Sequence, residues 1–302
     1  MTELRDVFFY TLLEKAKKDR NVILLTADAG AFALKEFEKQ IPNQFFNVGI
    51  AEQNMISVAA GLASEGKQVY CYSIAAFLVL RAFEQIKIDV CDMNSNVILV
   101  GVGAGVDYSY DGSTHHCPND IGILRTLPNM KIYVPFDEET VKISTEISGP
   151  LYIRLPKGNV ENVEKREIVP NFYMIREGKS FILTYGIMVH KMLKMLDELK
   201  ATNVGLLALT SLKPLYDVAS FGPICRTRPI KYLLVEPHSI RGGLLSALGE
   251  YRMVTEHVPG MYEGYNDAFI DIGGSAEYIE KVAGIDNERI AHSIMELNNG
   301  NR

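Results

Sequence analysis

Apolar runs of four to six residues alternate with helical periods along most of this 302-residue chain. Val22 to Thr26, Val69 to Tyr72, Asn96 to Val102, Lys131 to Val134 and Tyr152 to Leu155 read as buried strands, with a shorter one at Phe45 to Val48. Between them Thr2 to Lys18, Ser57 to Ser64, Ala82 to Cys91, Ile121 to Arg125 and Glu138 to Ile147 carry helical spacing. Strands that are apolar on both faces and separated by helices fit a parallel sheet covered on both sides. Ligands of such sheets gather at the carboxyl ends of the strands. Asp28, Glu52, the loop Gly101 to Gly105 and Arg154 all fall at such ends.

A second alternation follows a charged stretch that opens at Pro156-Lys157-Gly158-Asn159 and ends near Pro170. It comprises strands at Ser180 to Tyr185, Val204 to Leu209, Tyr232 to Glu236 and Ala268 to Asp271, and helices at His190 to Leu199 and Gly243 to Tyr251. The expectation is an α/β protein of two domains, residues 1–160 and 170–302, each with a mostly parallel sheet flanked by helices.

Composition narrows the function. Hydrophobic content of 47% and charged content of 23% are ordinary for a globular protein. A net charge of −6 argues against a nucleic-acid partner, which calls for a basic face. The longest apolar runs, Ile74 to Leu80 and Val204 to Leu209, are too short to span a bilayer. The N-terminus lacks a signal-peptide pattern, so the cytoplasm is the expected compartment. Cys71, Cys91, Cys117 and Cys225 share no CxxC spacing and read as reduced thiols. Cys117 beside His115 and His116 does not make a metal site, because three near-adjacent residues rarely converge on one ion.

Two islands carry chemistry. The first, Phe45-Phe46-Asn47-Val48-Gly49-Ile50-Ala51-Glu52-Gln53-Asn54, sets a carboxylate after an apolar run and at the start of a small-residue helix. An acid there is partly desolvated, a condition that suits proton transfer; a plain partner for the helix dipole is the bland alternative. The second island is Tyr110-Asp111-Gly112-Ser113-Thr114-His115-His116. Together with Arg81-Ala82-Phe83-Glu84-Gln85-Ile86 between them, these islands resemble the pyrimidine-binding domain of transketolases and 1-deoxyxylulose-5-phosphate synthases, which use thiamine diphosphate. The C-terminal half adds an echo in Glu236-Pro237-His238-Ser239-Ile240-Arg241-Gly242-Gly243, similar to a Glu-x-His-x-x-x-Gly-Gly turn of the family. There, Glu236 has the simpler reading of a helix cap.

The resemblance implies roles residue by residue. Glu52 matches the glutamate that hydrogen-bonds N1′ of the aminopyrimidine, and His115 and Asp111 match an active-site pair that approaches the substrate. His116 is drawn in as the second histidine of the pair. The aromatic shelf under the pyrimidine is expected from Tyr72 to Phe83, with Phe77 first and Tyr72 and Arg81 beside it. Asp28 is placed on the substrate side, and Arg154 matches an arginine that binds substrate phosphate. Two departures stand out: Gly103 replaces a phosphate-binding histidine, and Phe32 replaces a serine.

The resemblance also implies a partner. Family members hold the diphosphate and Mg²⁺ through Gly-Asp-Gly, which occurs nowhere in this sequence. The chain is therefore expected to be the C-terminal subunit of a split transketolase, transferring a two-carbon ketol unit between sugars. Its N-terminal partner would carry the diphosphate and Mg²⁺ site in an α2β2 heterotetramer. The alternatives are the β-subunit of a 2-oxoacid dehydrogenase, half of a deoxyxylulose phosphate synthase, or a regulatory homologue without catalysis.

Overall fold

The computed structural model describes residues 2–215, 232–250 and 261–300. Its strands are β1 (Thr2–Glu3), β2 (Val22–Thr26), β3 (Phe45–Asn47), β4 (Gln68–Ile74), β5 (Val97–Val102), β6 (Lys131–Tyr133), β7 (Leu151–Leu155), β8 (Asn159–Val160), β9 (Arg166–Val169), β10 (Phe172–Arg176), β11 (Ser180–Tyr185), β12 (Val204–Leu209), β13 (Ser211–Lys213), β14 (Tyr232–Ser239) and β15 (Met261–Tyr265). They form a seven-stranded sheet of order β13-β6-β7-β5-β4-β2-β3, a six-stranded sheet of order β15-β14-β11-β12-β10-β9 and a two-stranded pair β1-β8. The first sheet is parallel except for β13, and the second is parallel from β15 to β12.

Every residue of β2, β5 and β7 is buried, as continuous apolar runs require of central strands. Period-two alternation along β4 sends Tyr70 and Tyr72 to one face of the sheet and Val69 and Cys71 to the other. On the first face the helix Leu4–Lys18 buries Leu4, Val7, Phe8, Phe9, Leu12, Leu13 and Ala16. Its Phe9 ring meets the edge of Tyr72 at 4.7 Å and Phe8 meets Tyr70 at 6.1 Å. Each such ring stabilises the fold by about 1.5–3 kcal/mol through burial. On the other face Met55, Ile56 and Ala59 of the helix Glu52–Ser64 pack against Val69, Cys71 and Leu99.

Three expectations change. The stretch Ala82 to Cys91 is not one α-helix: π turns at Ala76–Arg81 and Ile86–Asp92 flank a single α turn at Phe83–Gln85. Ala268 to Asp271 is not a strand, because the place beside β14 is taken by β15. The charged stretch after Pro156 also contributes ladder: β8 pairs with β1, and β9 already belongs to the second sheet. Strand β13, from the C-terminal half, closes the edge of the first sheet by pairing antiparallel to β6. The helix expected over Gly243 to Tyr251 is seen as Leu244–Glu250, and Tyr251 lies outside the described residues.

The two halves meet in a buried polar network. Asp120, fully buried, accepts from the Tyr152 hydroxyl at 2.7 Å and from Arg154 Nε at 2.8 Å, while Arg154 Nη2 donates to the Pro237 carbonyl at 2.9 Å. The Gly122 amide donates to His238 Nε2 at 3.1 Å. Glu236 accepts from the amides of Leu244 and Leu245 and from the hydroxyls of Tyr185 and Tyr262, so it caps the helix Leu244–Glu250. Gly243 is required beside it, since a Cβ would lie 2.3 Å from Glu236 Oε2.

Candidate functional site

The loops after β2, β3, β4 and β5 all open on the carboxyl edge of the first sheet. The chain leaves β2 toward β3 on one side and, by way of the helix Glu52–Ser64, returns to β4 on the other. The edge between β2 and β4 is thus a topological switch point, where open α/β sheets hold ligands.

Glu52 is the first residue of the helix Glu52–Ser64 and only 2% exposed. Its Oε2 accepts from Arg81 Nη1 at 2.7 Å. The Arg81 guanidinium in turn lies 4.5 Å from the centroid of the Phe77 ring, and Phe77 meets His115 edge-on at 5.0 Å. The π turn Ala76–Arg81 places Phe77 and Arg81 on one face of the segment, and π turns recur at functional sites. Glu52, Arg81, Phe77 and His115 therefore form one unbroken chain of contacts.

The loop that carries His115 is built tightly. A two-way backbone bridge joins Gly105 and Cys117, and the amides of His115 and His116 both donate to the Gly112 carbonyl. Gly112 has φ +72°, a left-handed conformation that glycine adopts without strain. Thr114 Oγ1 lies 2.9 Å from His115 Nδ1. The C-terminal half braces the loop: the Gly274 amide donates to the Ser109 carbonyl, and Gly273 sits so close to Tyr110 that a Cβ would lie 2.7 Å from its carbonyl oxygen. The segment expected as a strand at Ala268 to Asp271 leads directly into this brace.

Other residues fall as follows. Asp111 is exposed on the loop, its amide bonded to the Tyr108 carbonyl. Asp28 is also exposed, has φ 56°, and exchanges two hydrogen bonds with the Asn47 side chain. His116 is buried away from solvent, and burial lowers its pKa from the ordinary value. Tyr72 does not join the shelf: it is 1% exposed and belongs to the packing under the helix Leu4–Lys18, on the face that period-two alternation dictates. Arg154 is only 6% exposed, with Nε on Asp120 and Nη2 on the Pro237 carbonyl, and it lines a small cavity beside Asp107 and Pro237.

The structure adds two residues that the sequence reading passed over. Gly103 has φ +70°, and a Cβ there would lie 2.0 Å from the Tyr108 ring, so Tyr108 fills the room a side chain at 103 would need. Tyr108 lies 5.9 Å from His115, and Lys157 Nζ stands 4.4 Å from the centroid of Tyr108. The Lys157 amide donates to Asp107, whose carboxyl is pushed up to about 6 by burial. Lys157 follows the end of β7, and its position at a strand end was the available signal. Cys71, Cys91 and Cys117 are free and buried, and burial pushes their thiols up; Cys225 lies outside the described residues. No group of metal-ligating side chains occurs among the described residues. Nor does any described helix have the length and apolarity to cross a membrane.

Comparisons with known proteins agree with this geometry. Residues 2–162 match the family model for the transketolase pyrimidine-binding domain. The chain is 33% identical over 310 residues to a subunit of the apulose-4-phosphate transketolase of Phocaeicola vulgatus, covering 98% of both chains. It is 32% identical over 310 residues to a 6-deoxy-6-sulfo-D-fructose transketolase subunit of a Clostridium species, covering 98% of this chain and 95% of that one. Among solved structures, a split-gene transketolase described as an inactive β4 tetramer superposes with a TM-score of 0.82 at 30% identity, over 98% of this chain and 97% of that one. Family membership implies the use of thiamine diphosphate. The chain belongs to the thiamine diphosphate-dependent transketolase family, as a C-terminal subunit of its split form.

Proposed function

We propose that this chain, with a second polypeptide, moves a two-carbon ketol unit from a ketose donor to an aldose acceptor in the cytoplasm. The observation that carries the reading is the contiguous set Glu52, Arg81, Phe77 and His115 at the carboxyl edge of the sheet. The donor set fits the pyrimidine half of the cofactor, for a nearly buried carboxylate is joined through Arg81 to the face of a half-buried aromatic ring. When bound, thiamine diphosphate supplies an electron sink that allows a carbon–carbon bond next to a carbonyl to break. Glu52 holds the proton at N1′, and Phe77 supports the ring. His115, with Nδ1 engaged by Thr114, keeps Nε2 for a substrate proton, and Asp111 and Asp28 orient hydroxyls at the mouth. His116 lies buried behind the loop that carries His115.

Since the sequence contains no Gly-Asp-Gly, the diphosphate and Mg²⁺ fall to the partner subunit, in an assembly of two copies of each chain. That a related β4 tetramer is described as inactive supports this dependence. Relatives named for a sugar phosphate and a sulfo sugar support a donor with a terminal anion. Among the described residues, exposed Lys157, over the Tyr108 ring beside His115, offers a cation for such a group.

Calorimetry tests the division of labour. The chain alone is expected to give no measurable Mg²⁺-dependent thiamine diphosphate binding, and its complex with the partner one site per copy. Micromolar binding by the chain alone would refute the reading.

A further inference from the structure

A single planar cation already makes both contacts that the pyrimidine would need. Arg81 Nη1 donates to Glu52 Oε2 at 2.7 Å, and the same guanidinium lies 4.5 Å over the Phe77 ring. Guanidinium is flat, delocalised, rich in donors and stacks well on aromatic faces. In both respects it imitates an aminopyrimidine, which would offer a donor to the carboxylate and a face to the ring. The exposures of the two partners differ sharply: the Glu52 side chain is 2% exposed and that of Arg81 45%. An unpaired carboxylate at Glu52 would be costly to bury. Arg81 is anchored only through its far end and can swing into solvent on a flexible stem.

We infer that Arg81 is a placeholder for the aminopyrimidine: it neutralises Glu52 and covers Phe77 until the cofactor arrives, and it then leaves. Cofactor binding is on this account an exchange of partners at one buried carboxylate. The carboxylate is never left unpaired in the free subunit, and the crevice does not have to open to be filled. Arg81 then acts as a gate on cofactor entry and not as a cofactor ligand. The inference rests on Glu52 and Phe77 being the seat of the pyrimidine.

The experiment uses the complex of this chain with its partner subunit, titrated with thiamine diphosphate and Mg²⁺ by calorimetry. Arg81→Ala is expected to bind the cofactor about ten-fold more tightly than wild type, the factor by which a competing state populated nine-tenths of the time weakens an apparent affinity. Arg81→Gln, which keeps length but loses the charge, should behave alike and serves if the alanine variant does not fold. In a Glu52→Gln background, where the ion pair is absent, removal of Arg81 should bring no such gain. The free Arg81→Ala chain should also melt at a lower temperature than wild type, because Glu52 is then buried without a cation. Equal or weaker cofactor binding by both Arg81 variants would overturn the placeholder while leaving the pyrimidine seat intact. Failure of the wild-type complex to bind the cofactor would remove the seat itself, and the placeholder with it.

Discussion

Two arginine–carboxylate pairs stand at the carboxyl side of the same sheet, and they do opposite things. Arg154 and Asp120 are both buried, and each has further partners in Tyr152 and the Pro237 carbonyl. Arg81 and Glu52 share one bond, with the cation half in solvent. A pair with both members buried holds the structure together, and this one ties the β7 end of the first sheet to strand β14 of the second. A pair open on its cationic side can trade that cation for something else. Burial of the arginine, more than the presence of an ion pair, separates a brace from a site.

Arg154→Ala leaves Asp120 buried without its cation, and losing one partner of a buried pair costs about 3–5 kcal/mol. Urea unfolding is expected to show a drop of that size. A drop under about 1 kcal/mol, within the range typical of exposed pairs, would mean that Arg154 is not a brace. Lys157→Ala gives a smaller effect and sharpens the contrast from the surface. Loss of an exposed charge-assisted contact should raise KM about ten-fold for sugars with a terminal phosphate or sulfonate, and leave neutral sugars unchanged. Equal change for both classes would take Lys157 out of the anion contact.

Much of this was legible in the sequence, for reasons that can be named. The central strands β2, β5 and β7 are apolar at every position but a few and are buried at every position, so their place in a covered parallel sheet was written locally. Glu52 and His115 stood out because their motifs are contiguous, and the fold brings those motifs together through Arg81 and Phe77. The Arg154–Asp120 pairing was not legible because the two lie 34 residues apart, and nothing local marks a pairing at that distance. Tyr72 was misread for a different reason. The alternation of β4 assigns it to the face of Tyr70, but a shelf was sought by nearness in sequence to Phe77. Strand β13 has three residues and crosses back to the first sheet, a pairing that only the assembled fold reveals. Tyr108 in the space beside Gly103 was equally hidden, because a glycine's missing side chain does not say what fills its room.

On the proposed function, Glu52 is the acid for the pyrimidine and not a residue that merely starts a helix. Deuterium exchange at the thiazolium C2 of thiamine diphosphate, measured in the complex with the partner subunit, tests it without a known sugar. Glu52→Gln preserves shape and the hydrogen bond but cannot supply the proton. Exchange should therefore slow by about 10²- to 10⁴-fold, the range for loss of a positioned acid, while cofactor affinity changes little. Exchange at the wild-type rate in the variant would contradict the account.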